Sequence, residues 1–251
     1  MSPPADPDLF LGGALRLHQP PRGAHRAGTD AALLAHLIVP PDGATVCDVG
    51  AGTGAVGLGC ARLAPGCRVV LVERDPDLAA LAIRNAAENG MAERVRVIAA
   101  DVLAPGAVRR AAGLTAGLCD VLLTNPPYFE AGRDRPSPRA GRAEAHTFAE
   151  GGLETWLRTC TDLLRPGGRI GLIHRADALP ACLDALRGRF GAIRVRPVHA
   201  RADRAATRIL VTAVKGSRAV LSLAPPLVLQ DASGRFTPEA EVLHRGRPAA
   251  P

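Results

Sequence analysis

Thr45-Val46-Cys47-Asp48-Val49-Gly50-Ala51-Gly52-Thr53-Gly54 is the stretch that decides the fold. A short apolar run reads as a buried strand and hands over at once to three alternate glycines. Ala55 to Leu63 behind them reads as a helix of small residues, stopped by Pro65-Gly66. Strand, glycine turn and helix in that order place the loop at the carboxyl end of a strand, with a helix N-terminus behind it. In an open α/β sheet that corner is where a nucleotide-like ligand sits.

Outward from this unit the same alternation repeats. Arg68 to Val72 reads as a strand ending at Glu73, and Pro76 to Asn89 as a helix ended by Gly90. Val95 to Ala99 is a strand ending at Asp101, with a short helix near Ala107 to Ala112. Cys119 to Leu123 is a strand, Leu153 to Leu164 a helix, and Pro166-Gly167-Gly168 a turn before a strand from Arg169 to Ile173. Ala178 to Arg189 is a helix, and Ile193 to Val198 and Thr207 to Val214 are closing strands with no helix between them. The pattern predicts an α/β fold: a doubly wound, mostly parallel seven-stranded sheet with an antiparallel edge hairpin. Upstream, residues 1–28 are rich in Pro, Gly and Arg and read as an irregular segment, followed by a polar-started helix from Thr29-Asp30. Residues 29–215 form the expected domain. Residues 216–251 are expected to pack on it through a strand pair, a turn at Asp231 to Gly234 and a helix from Pro238 to His244, before a disordered tail.

Composition narrows the class. The 251 residues are 47% hydrophobic and 22% charged, ordinary for a soluble domain of this length. No apolar run approaches a membrane span and the N-terminus lacks a secretion-signal layout, so a cytoplasmic location is expected. The net charge is +7 and Lys215 is the only lysine, so the positive charge is almost wholly arginine, a residue suited to phosphate contact. A basic chain favours nucleic acid as partner. Six cysteines and seven histidines show neither C-x-x-C nor H-E-x-x-H spacing, so no metal site is expected.

The chemistry is carried by strand ends. Gly52 to Gly57 satisfies G-x-G-x-x-G, so from the glycine loop alone an NAD-dependent dehydrogenase is a fair rival. Asp48 directly before the glycines argues against it, since a pyrophosphate would crowd a carboxylate while an ammonium would be welcome. Glu73 can grip ribose hydroxyls, and Asp101 can accept from an exocyclic amine. Three acids at successive strand ends suit a cationic amino-acid nucleoside, and S-adenosylmethionine fits. The next strand ends in Asn125-Pro126-Pro127-Tyr128-Phe129. Asn125 and the Pro126 carbonyl offer acceptors for a planar NH2 group, and Tyr128 and Phe129 offer faces for stacking.

Together these segments resemble the class I S-adenosylmethionine-dependent methyltransferases. Asp48 to Gly54 looks like their first motif, Glu73 like their ribose-binding acid, Asp101 like their adenine-contacting acid, and Arg165 to Arg169 like the turn before their fifth strand. Gln19 to Pro40, the Asn-Pro-Pro-Tyr segment and Pro226 to Leu243 are most similar to the valine tRNA adenine-N6 methyltransferase family. That resemblance implies a Rossmann-like methyltransferase fold and N6-methylation of an adenine in tRNA, in the anticodon-loop region. It implies cofactor contacts at Gly28, Thr29, Asp30, Asp48, Gly50, Ala51, Gly52, Gly54, Glu73, Arg74, Asp101, Val102 and Asn125. Catalysis falls to Asn125, Pro126 and Tyr128. Substrate contacts are expected at Phe129 and at Arg133, Arg135, Arg139 and Arg142 of the loop that follows; arginines from Arg194 to Arg208 could hold phosphates or form a solvated edge. A glutamine-N5 methyltransferase uses the same four-residue motif, a DNA adenine methyltransferase fits the same chemistry, and a non-catalytic RNA-binding protein is the alternative outside the enzymes.

Overall fold

The computed structural model describes residues 6–21, 26–127 and 152–246. Its centre is a nine-stranded sheet in the order β10-β8-β9-β7-β6-β3-β4-β5, with β11 also paired to β8. The strands are β3 Thr45–Val49, β4 Arg68–Glu73, β5 Val95–Ala99, β6 Cys119–Thr124, β7 Leu164–Arg175, β8 Phe190–Arg201, β9 Ala206–Lys215, β10 Ser222–Leu223 and β11 Leu227–Gln230. Strands β3 to β7 run parallel, whereas β9 is antiparallel to both β7 and β8. The expected seven strands and hairpin are therefore present, and two short strands lengthen the sheet.

The sheet is covered on both faces, which is why its parallel strands are apolar on both sides. In β4, Val69 and Leu71 face one core and Val70 and Val72 the other, the two-residue period of a pleated strand. Helices α1 Thr29–Ala35, α2 Ala55–Leu63 and α3 Pro76–Glu88 lie over the first core. Helices α5 Gly152–Leu163 and α6 Leu179–Leu186 cover the second, with the short α4 Gly106–Ala111 between β5 and β6. Helix α2 packs closely because Gly57 faces β4: a Cβ there would stand 2.2 Å from Leu71 Cδ2.

Three expectations are corrected. The N-terminal segment is not wholly irregular: β1 Asp8–Phe10 and β2 Leu15–Leu17 form an antiparallel hairpin. Strands of three residues are too short to leave a periodic signal among prolines and glycines. The Pro166-Gly168 turn is absorbed into β7 as a bulge, where pairing with β6 slips from Cys119↔Leu164 to Val121↔Arg169. Finally, β10 and β11 do not pair with each other. Each adds in parallel to the outer edge of β8, and α7 Pro238–His244 returns to pack on α1.

Asn85, fully buried on α3, fastens the N-terminal hairpin to the body. Its Oδ1 accepts from His18 N at 2.7 Å, and its Nδ2 donates to the carbonyls of His18 at 3.0 Å and Thr53 at 2.9 Å. Asn85→Ala orphans all three backbone groups and should lower the unfolding free energy by at least about 2 kcal/mol, read by urea denaturation.

Candidate functional site

Chain direction across the sheet reverses between β3 and β6. From β3 the chain moves outward through β4 to β5; it then crosses back to β6, on the other side of β3, and continues to β7. The two strands are in register to their last pair, Val49↔Thr124, and part beyond it. A cleft of about 340 Å³ opens there at the carboxyl ends of the strands, the position at which an open α/β sheet holds its ligand.

Gly50, Gly52, Glu73, Arg74, Asp101, Val102, Asn125 and Pro126 all line this cleft, so eight of the expected site residues are brought together. The glycine loop over it needs its glycines, since Gly50 and Gly52 have φ of 75° and 55°. Glu73 is buried and clamps the loop from below. Its Oε2 accepts from Gly52 N at 2.7 Å and its Oε1 from Asp75 N at 2.9 Å. Each carboxylate oxygen keeps a lone pair for a hydroxyl donor from the cleft. Asp101 is held in a turn by the Leu103 amide, 2.8 Å from its Oδ1. Val72, Leu78, Val102 and Leu103 supply apolar walls.

Other expected residues lie elsewhere. Ala51 and Gly54 do not line the cleft; Gly54 sits against Leu71 and Leu58 at the start of α2. Asp48 points behind the loop, 1% exposed, where it accepts from Gly57 N at 2.8 Å and anchors the first turn of α2. The reading of Asp48 as a direct partner for an ammonium is corrected accordingly: its pleat position aims it at the helix. Burial pushes its carboxyl up to about 7, the Gly57 amide opposes this, and the nearby Glu73 adds to it. Gly28 and Thr29 line a separate cavity with Phe10, Phe236 and His244, and Asp30 pairs with Arg208 at 2.9 Å. Tyr128, Phe129, Arg133, Arg135, Arg139 and Arg142 lie outside the described residues.

Several of the later arginines tie down the C-terminal segment. Arg196 pairs with Glu239 at 2.6 Å and Arg201 donates to the Ala232 carbonyl at 3.2 Å. Trp156 was missed by sequence reasoning. It projects from α5 into the cleft, and its being the single tryptophan of the chain was the one available signal. All six cysteines are buried and free. Among the described residues no cluster of three metal-ligating side chains occurs, and no helix is long and apolar enough to cross a membrane.

Comparison with known proteins agrees with this geometry. The profile of the methyltransferase small domain matches residues 26–196. A tRNA1(Val) (adenine(37)-N6)-methyltransferase from Aeromonas hydrophila is 32% identical over 201 residues, spanning 78% of this chain and 79% of that protein. A release factor glutamine methyltransferase from Moorella thermoacetica is also 32% identical, over 173 residues, spanning 66% of this chain and 58% of that protein. The crystal structure of a predicted O-methyltransferase from Agrobacterium tumefaciens superposes with a TM-score of 0.74 at 32% identity, covering 88% of this chain and 98% of that one.

The raised value at Asp48 sets a pH dependence. Between roughly pH 4 and 7 the unfolded chain has released a proton that the folded chain retains, so stability falls as pH rises through that window and levels above it. Asp48→Asn keeps an acceptor for the Gly57 amide and removes this decline. Urea unfolding from pH 4 to 8 should show the variant gaining on the wild type as pH rises.

Proposed function

This chain belongs to the methyltransferase small-domain family, and from that membership we propose that it transfers a methyl group from S-adenosylmethionine to the N6 amine of an adenine in tRNA, in the anticodon-loop region. The observation that carries the reading is the meeting of Asn125 and Pro126 with Glu73 and Asp101 in one cleft at the β3–β6 divergence.

The residues present fit the cofactor. Two carboxylates stand at adjacent strand ends, apolar walls can take a purine, and a Cβ placed on Gly52 would meet nothing within 4 Å. The cleft volume also lies in the range of small-molecule sites. Glu73 would hold the ribose hydroxyls and Asp101 the adenine amine, with Arg74 and Val102 beside them and the glycine loop open to close approach. When bound, S-adenosylmethionine supplies an electrophilic methyl group on a sulfonium sulfur.

The chain's own task is to make a poor nucleophile competent. The lone pair of an adenine N6 amine is delocalised into the ring. Asn125 Oδ1 and the Pro126 carbonyl accept from its two N–H groups and draw the nitrogen towards a tetrahedral form. The same two oxygens offset positive charge that grows on the nitrogen during transfer. No base is required beforehand, because the neutral amine attacks and its proton leaves later. Tyr128 stacks on the base plane in this reading, which for that residue rests on sequence alone.

The extent of the two matches, 201 residues against 173, favours the RNA substrate over protein glutamine. This chain spans 79% of the tRNA methyltransferase from Aeromonas hydrophila but 58% of the glutamine methyltransferase from Moorella thermoacetica, at equal identity. The net charge of +7 points the same way, and a tRNA substrate places the protein in the cytoplasm. A base that undergoes chemistry must leave its stack, and an anticodon loop offers bases that unstack readily.

Nucleoside mass spectrometry of tRNA tests the assignment: a strain lacking this chain should lose N6-methyladenosine from a valine tRNA, and an unchanged level would remove the tRNA reading. Asn125→Ala should cut methyl transfer by at least roughly 100-fold while the affinity for S-adenosylhomocysteine, measured by calorimetry, stays within about threefold.

A further inference from the structure

We propose that Trp156 is a positioning residue that locks the donor-side loop to the acceptor-side motif through Thr124. This rests on the methyltransferase reading of the cleft and adds a part that reading does not use.

The geometry is a directed chain of hydrogen bonds across the strand divergence. Trp156 Nε1–H donates to Thr124 Oγ1 at 3.0 Å, and the Thr124 hydroxyl donates onward to the Val49 carbonyl at 2.8 Å. A hydroxyl has one proton to give and lone pairs to receive, so both bonds form together without conflict. Val49 and Thr124 are the last register pair of β3 and β6. The residues that follow them are Gly50, which opens the loop, and Asn125, which opens the acceptor motif. The chain therefore spans the point where the two halves of the site begin to part.

Packing reinforces the bonds. Thr124 is fully buried and Trp156 is 7% exposed, so both bonds lie where water does not compete. The indole also lies against Gly50 through the edge next to its N–H, where a Cβ would stand 3.2 Å from Trp156 Cη2 and Cζ2. The same indole lines the cleft. One rigid ring thus contacts the donor loop by its edge, the acceptor strand by its N–H and the ligand space by what remains. Methyl transfer is sensitive to sub-ångström placement of donor and acceptor, so a device that fixes Gly50 relative to Asn125 acts on the rate rather than on binding.

Trp156 is the single tryptophan, which makes it its own reporter. Full-length protein is titrated with S-adenosylhomocysteine, with calorimetry and tryptophan emission followed in parallel. The expected result is heat of binding and a saturable emission change with one midpoint. Heat without an emission change overturns the placement of Trp156, whereas absence of heat overturns the methyltransferase reading and the proposal with it. Kinetics supply the second arm. Trp156→Phe keeps the ring and loses the N–H, while Thr124→Val loses the hydroxyl at similar volume. Each should lower kcat about tenfold with the calorimetric affinity within about threefold, and the double variant should fall no further than the worse single one. Thr124→Ser should restore kcat to within about twofold of the wild type. Unchanged kcat in both Trp156→Phe and Thr124→Val, even with a lowered melting temperature, overturns the proposal and leaves the pair as core packing.

Discussion

Everything at this site depends on the parting of β3 and β6 after Val49 and Thr124. Parallel strands with crossovers leaving in opposite directions leave a gap that no helix can cover. The gap is bounded on one side by a loop that must turn with positive φ at Gly50 and Gly52, and on the other by Asn125 ahead of two prolines that cannot continue a strand. The sheet supplies position and the strand ends supply chemistry, so a small change of loop residues would alter the reaction without altering the fold.

The acids near the cleft divide their labour in a way that burial explains. Glu73 spends one oxygen on the Gly52 amide of the loop and the other on the Asp75 amide at the start of α3, and still borders the ligand space. Asp48 is turned away, and its burial raises its proton affinity towards neutrality. It orders the first turn of α2 through Gly57, whose missing side chain also admits Leu71. The loop geometry is thus maintained from two directions, by a carboxylate below it and a carboxylate behind it. A cost in stability at neutral pH is the expected accompaniment of such an arrangement.

The donor and acceptor strand ends were legible in the sequence because each is punctuated locally. Glycines after Val49, Glu73 before a helix start, Asp101 before a turn and prolines after Asn125 all announce themselves within a few residues. What stayed illegible depends on contacts between distant positions. Trp156 meets Thr124 across 32 residues, and an amphipathic helix pattern says only that it is inward. The parallel docking of β10 and β11 on β8 is set by a partner that short strands do not specify. Asp48 was read as facing the ligand because its position beside the glycines is local information, whereas its orientation follows from the pleat and from α2. Gly28 to Asp30 were placed by resemblance, and here they border a different cavity or pair with Arg208.

The most direct test offers both acceptors at once. Purified protein is given methyl-labelled S-adenosylmethionine with equimolar valine tRNA transcript and a peptide-chain release factor, and the products are digested and identified by mass spectrometry. The account predicts label recovered as N6-methyladenosine from the tRNA. Label recovered as N5-methylglutamine, with none in the RNA, would contradict it.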